Sequence, residues 1–180
     1  MVNMQDRETE AFLQKLDEEE HVRKNRIQGI KTVLVVLSSR GMVFDVPALK
    51  QKILLAYPDS QVFVRTTLGV AVGEKAPSRV DLLLDFTGPR QRQGLFYSKK
   101  LRRTAKVAIG RNAGFFRGSY DRIFDEKKNL KTLPTDLLAR ERQVQKQVLA
   151  LAGIPLAQSG DTPDDIGKSI ALKLPSMAKL

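Results

Sequence analysis

The sequence predicts an α/β domain: a mostly parallel sheet with helices layered on both faces, preceded by a charged helix. Three observations carry this. Residues Thr32 to Leu37 form a near-continuous β-branched and leucine run, as expected of a strand covered on both sides. The run breaks at Ser38, Ser39 and Gly41 and leads into a segment opened by Pro47, where Leu49, Ile53, Ala56 and Tyr57 recur at helical spacing. The same strand-then-helix alternation then continues along the chain, which implies right-handed crossovers between parallel strands.

Length and composition bound the reading. A chain of 180 residues with 42% hydrophobic content supports one domain with a real core. There is no cysteine, which excludes disulfides and thiolate metal sites, and the single histidine, His21, makes a zinc site a poor expectation. No metal or other cofactor is expected. No apolar run approaches the roughly 20 residues that span a bilayer, and no leader resembles a signal peptide, so the chain reads as soluble and cytoplasmic. The net charge of +11 favours an anionic partner, whether nucleic acid, a phosphorylated glycan or the anionic face of a membrane.

Residues 1–28 form the charged leader. Glu19 with Arg23 and Glu20 with Lys24 are helical pairs in the favourable orientation, whereas Phe12, Leu13, Leu16, Val22 and Ile27 are too uneven for a sustained heptad seam. A solvated helix resting on the domain is expected, with a partner-binding or membrane-surface helix as the alternative. The domain proper spans 29–154. After the first helix, Tyr57-Pro58-Asp59-Ser60 is a turn and Gln61 to Val64 a short strand. Thr66 to Ser78 reads as a loop. Val80 to Phe86 is a further buried strand, Gly94 to Arg103 a helix, Ala105 to Ile109 a strand, and Tyr120 to Phe124 a weaker one.

The last helix is expected from Thr135, as N-cap, to Ala152, with Gly153 as a left-handed stop and Leu137, Val144, Val148 and Leu151 as its buried stripe. Residues 155–180 are turn-rich and read as a linker-like tail.

Between Phe86 and Tyr120 stand nine basic residues and no acidic one. A charge run of this kind is often only a solvated face. Arg90, Arg92 and Arg111 differ from the others in following strand ends, on the side of an open α/β sheet where ligands bind, and arginine presents a planar fork suited to phosphate or carboxylate. These three are expected to converge near the turn at Ser38 to Gly41. Asp85, at the ligand-side end of its strand, can serve a ligand or cap the following turn. Phosphate loops of the GxxxxGK[ST] type, the GxGxxG fingerprint and the GxSxG nucleophile turn are all missing. RNA or DNA binding is disfavoured, because Phe96, Tyr97, Phe115 and Phe116 lack the pattern of a stacking β-surface.

The segments LVVLSSRGM, VPALKQKILLAYPDSQVFV, RVDLLLDFTGP, KVAIGR, YDRIF and ERQVQKQVLALAGI, in this order over roughly residues 31 to 154, resemble the N-terminal domain of glycosyltransferase family 9, the ADP-heptose:lipopolysaccharide heptosyltransferases. The resemblance implies a Rossmann-like domain, the first half of a GT-B arrangement, that binds a phosphorylated glycolipid acceptor without metal. The nucleotide-sugar donor would need a second domain, which would begin about where this chain ends. The work of such enzymes in lipopolysaccharide biosynthesis implies a cytoplasmic protein with peripheral association at the inner membrane.

Carried over onto this chain, Ser38, Ser39 and Gly41 match the family's Ser-Ser-x-Gly-Asp, but Met42 stands where the base should be, and a thioether cannot accept a proton. The segment from Gly41 to Pro47 is also one residue short. Asp45 is the catalytic candidate that remains, although its place two residues before Pro47 also suits helix capping. The family's Asp-x-x-Gly loop with a following basic residue corresponds to Asp85, Gly88 and Arg90 or Arg92, and Arg111 and Arg122 lie where acceptor-contacting bases are found. With the base replaced, the chain alone is expected to bind acceptor without transferring sugar. The alternative is a non-catalytic basic module.

Overall fold

A computed structural model of the chain describes residues 4–37, 45–66, 71–87, 104–111 and 120–155. Its elements in order are α1 (Met4–Lys24), β1 (Thr32–Leu37), α2 (Val46–Ala56), β2 (Gln61–Thr66), β3 (Ala71–Val72), β4 (Val80–Asp85), β5 (Ala105–Arg111), β6 (Arg122–Phe124) and α3 (Leu137–Leu151). They build one sheet in the order β3-β2-β1-β4-β5-β6. Every pairing is parallel except that of β3, which runs antiparallel at the edge of β2. The architecture is therefore an α/β domain centred on β1, as the two-sided apolar run at 32–37 requires.

Alternation along the strands divides the core into two layers. Val33, Val35 and Leu37 of β1, with Leu82, Leu84 and Phe86 and with Ile109, pack under Leu49 and Ile53 of α2 and Val144 and Val148 of α3. Both core helices thus lie on the same face. On the other face Leu34 and Val36 meet Phe63, Leu83 and Ala108, and Ala76 from the β3–β4 connection covers them together with Tyr120. Among the described residues no helix packs on this second face. The helix expected at Gly94 to Arg103 lies outside the described residues.

Local chemistry explains the element ends. Asp45 caps α2 by accepting from the Ala48 amide, and Pro47 occupies the first turn, where its missing N–H leaves no bond unmade. At α3 the cap is Asp136, accepting from the Ala139 amide, rather than Thr135. The stripe of α3 also differs from expectation. Leu137 is 75% exposed, and Leu149 joins Val144 and Val148 in the core. Leu137 is the first residue of the helix, while Leu149 lies one residue from Val148 and joins the same core. The expected loop at Thr66 to Ser78 contains the two-residue β3, too short to carry a period in the sequence.

A polar junction ties α1 and α3 to the base of the sheet. The Tyr57 hydroxyl donates to the Ala152 carbonyl and accepts from the Ile27 amide at 3.2 Å. Burial raises its pKa above the ordinary phenol value, against the opposing pull of the Ile27 amide and nearby arginines. Asn25 Nδ2 donates to the Ala150 carbonyl at 3.2 Å. Gly153 adopts φ +71°, and a Cβ there would come within 2.5 Å of Arg26 backbone atoms, so glycine is needed for both conformation and space.

Candidate functional site

β1 leads through α2 to β2 on one side, and the chain then returns across β1 to place β4 on the other. This reversal makes the carboxyl ends of β1 and β4 a topological switch point, where an open α/β sheet leaves a crevice. Among the described residues, Asp45 caps α2 after β1, and Asp85, Phe86 and Thr87 end β4 and follow it, all three buried. Ser38, Ser39, Gly41 and Met42, and also Gly88, Arg90 and Arg92, lie outside the described residues.

Asp85 is the best-defined polar group here. It is 1% exposed. Its Oδ1 accepts from the Thr87 amide at 2.9 Å and from the Thr87 hydroxyl at 2.6 Å, and Oδ2 accepts from the Tyr120 hydroxyl. The Tyr120 ring can reach Asp85 because it lies against Gly110, where a Cβ would come within 2.6 Å of the ring. Gly110 is the direct partner of Asp85 across β4 and β5. A carboxylate hidden from water needs such donors, or its desolvation would be uncompensated.

Arg65 belongs to the same row. It pairs across with Val36, whose partner on the other side is Asp85, so Arg65 and Asp85 project from one face roughly 10 Å apart, two strand spacings. On the opposite face, the Thr66 hydroxyl at the end of β2 is buried with no hydrogen-bond partner among the described residues.

The arginines of the sequence reading fall elsewhere. Arg111 ends β5 on the α3 face with its side chain 6% exposed, and its fork is taken up by two carboxylates. Nε donates to Glu126 at 2.6 Å and Nη2 to Glu141 at 2.7 Å, with Nη1 also on Glu141. Burial opposes its charge, but Glu141 and Glu126 outweigh this and raise its pKa. The expectation of an arginine presented to an external anion is corrected here: Arg111 already holds its anions, and they are internal. Arg122 opens β6 at the amino end and donates from Nη1 to the carbonyls of Asn25 and Leu151, both at 2.6 Å. It ties the ends of α1 and α3 together, away from the crevice.

Lys106, the other described member of the basic run, binds Asp81 Oδ1 at 2.8 Å. Asp81 Oδ2 accepts from the amides of Lys31 and Thr32 and from the Thr32 hydroxyl, which clamps the start of β4 to that of β1. Lys106 first, and these donors after it, hold the Asp81 pKa down to about 2. Asp45, the catalytic candidate, has its carboxylate at the first turn of α2, as its capping role requires.

Comparison of the chain with known protein families, characterised proteins and solved structures returned no match. The site therefore rests on its own geometry.

Sequence reasoning missed Arg65, Thr87 and Tyr120. Arg65 carried a signal, a charged residue within the apolar strand QVFVRT. Tyr120 carried none, because its partner lies 35 residues away. Among the described residues no cluster of His, Cys, Asp or Glu could hold a metal ion, and no helix is long and apolar enough to cross a membrane.

Proposed function

We propose that this domain is the acceptor-binding half of a heptosyltransferase-like glycosyltransferase of the GT-B type, and that it receives a phosphorylated glycolipid at the carboxyl edge of its sheet. The observation that carries the reading is the reversal of strand order between β1 and β4, with Asp85 fixed at the carboxyl end of β4 by Thr87 and Tyr120. Asp85, hidden from water, holds Thr87 and Tyr120 at the end of β4 rather than meeting a ligand itself, and the net charge of +11 supplies the attraction for the phosphates. Peripheral association with the anionic face of the inner membrane follows from the same charge.

A second reading, a non-catalytic binding module, is favoured by two observations. Met42 cannot take a proton, and Asp45 is engaged as the cap of α2. Transfer by an inverting route needs a base within hydrogen-bond reach of the acceptor hydroxyl. We therefore expect this chain to bind acceptor and to transfer no sugar unaided.

The test is a binding competition between a heptose-free lipopolysaccharide acceptor and an unstructured RNA of equal charge, read by fluorescence anisotropy at fixed salt. Preference for the glycolipid by about tenfold or more supports the reading. Preference for RNA overturns it. Incubation with ADP-heptose separates the two versions, since turnover by the chain alone would show an enzyme using Asp45 or Asp85 as base.

A further inference from the structure

Leu130, Leu137 and Leu138 are exposed by 51%, 75% and 51% within one short stretch of chain. A single exposed leucine is ordinary. These three share one edge of the sheet, and their contacts fix which edge it is. β6 ends at Phe124, the partner of Arg111 at the end of β5, so the connection that follows leaves from the carboxyl edge. α3 begins at the same edge. Glu141 in its second turn meets Arg111, whereas the Leu151 carbonyl at its far end meets Arg122 at the start of β6.

The connection carrying Leu130 is held by its own hydrogen bonds. Asp125 Oδ1 accepts from the amides of Lys127 and Lys128 at 3.1 and 3.3 Å, and Asn129 Nδ2 donates to the Asp125 carbonyl at 2.8 Å. The Leu133 amide closes on the Asn129 carbonyl at 3.1 Å, and the Leu133 side chain is buried in the core. With Leu133 anchored inside, Leu130 stays outside, between Lys128 and Lys131 in sequence. Lys127, Lys128 and Lys131 are all exposed. The carboxylates nearby have other work: Glu126 and Glu141 hold Arg111, Asp125 accepts within the turn, and Asp136 caps α3. From Asp125 to Arg142, with Arg111 counted, six basic side chains stand against four acidic ones. Of the exposed charged residues in that stretch, three are lysines and one is Asp136.

We propose that this part of the carboxyl edge docks on an anionic lipid bilayer. Leucine side chains enter the boundary of the acyl layer, while lysines lay their stems along it and keep their ammonium groups among the phosphates. Nucleic acid fits less well, because residues 127–138 contain no aromatic side chain on which a base could stack. A second copy fits less well too, since like faces would set lysines against lysines. β4 lies two strand spacings from β6, about 10 Å, so a bilayer docked here lies beside the end of β4. Delivery of a lipid-borne acceptor to that point rests on the function proposed above; the docking itself rests on the leucines and lysines.

Co-sedimentation of the full chain with vesicles of phosphatidylglycerol and phosphatidylcholine, in about 0.1 M salt, tests the surface. Binding should be about tenfold or more tighter than to phosphatidylcholine alone. Leu130→Gln with Leu137→Gln leaves the charge unchanged and should weaken binding by about tenfold or more. Lys127→Glu with Lys131→Glu should do the same. Lys75→Glu with Arg79→Glu alters the net charge equally, on exposed residues that precede β4, and should cost clearly less. Urea midpoints should stay at the parent value, because none of these side chains belongs to the core.

The chain has no tryptophan, so Leu130→Trp supplies a reporter of insertion. Its emission should shift to the blue on the anionic vesicles and be quenched by lipids brominated on their acyl chains. Leu55→Trp, at an exposed position in the last turn of α2, should show neither change. Equal binding to neutral vesicles, equal losses for the two charge reversals, or an unquenched tryptophan at 130 would overturn the proposal. So would preference for an unstructured RNA over the vesicles. The vesicles contain no glycolipid, which keeps the two ideas separate: docking without preference for glycolipid sinks only the proposed function, and glycolipid preference without docking sinks only this surface.

Discussion

Replacing Arg111 with methionine decides whether this arginine holds the fold or serves a ligand. Methionine keeps much of the side-chain volume and removes only the fork, which leaves Glu126 and Glu141 facing each other with no cation between them. Breaking a buried ion pair from one side costs about 3–5 kcal/mol, because the remaining charge stays desolvated. The two glutamates are 15% and 25% exposed, so water reaches them in part, and about 2–4 kcal/mol is the better expectation. Against a typical total of about 5–15 kcal/mol this is a large loss, readily seen as a lower urea midpoint at unchanged slope.

The two carboxylates left behind give the loss a signature, since each disfavours the other's charge. Glu141→Gln added to Arg111→Met should recover part of it at pH 7. A variant within about 1 kcal/mol of the parent at pH 7 would refute the argument and return Arg111 to the role of an anion contact.

Two further predictions concern the base of the sheet. Gly153→Ala should destabilise by about 2–5 kcal/mol, combining the cost of a left-handed non-glycine residue with overlap on the Arg26 backbone, and thermal unfolding measures it. A loss below about 1 kcal/mol would mean that the α1–α3 junction gives way freely. Asp81, whose pKa is depressed to about 2, contributes stability that is fully present above about pH 4 and is lost as the pH falls towards 2. Asp81→Asn should accordingly flatten the acid limb of the unfolding curve between pH 4 and 2, and an unchanged limb would show that other carboxylates govern it.

The sequence by itself determined the elements whose signals are local. A buried strand at 32–37, a proline-opened helix after it, the strands near 61, 80 and 105, and a glycine stop at Gly153 all follow from side-chain type and period, and each is found where expected. Local chemistry also anticipated Asp45 as a cap and the turn-capping role of Asp85, because the residues concerned lie within three positions of their partners.

What the sequence could not decide is which distant groups meet. The row Arg65, Val36, Asp85 and Gly110 exists only through strand order and register. Tyr120 reaches Asp85 only because Gly110 leaves room for its ring. The same limit explains Arg111, which reads in sequence as one member of an unopposed basic run. Its two opposing carboxylates lie 15 and 30 residues downstream, and only folding brings them within hydrogen-bond distance. Charge along a chain is additive and can be counted in the sequence; charge pairing is a property of space, which the packing of α3 on the sheet supplies.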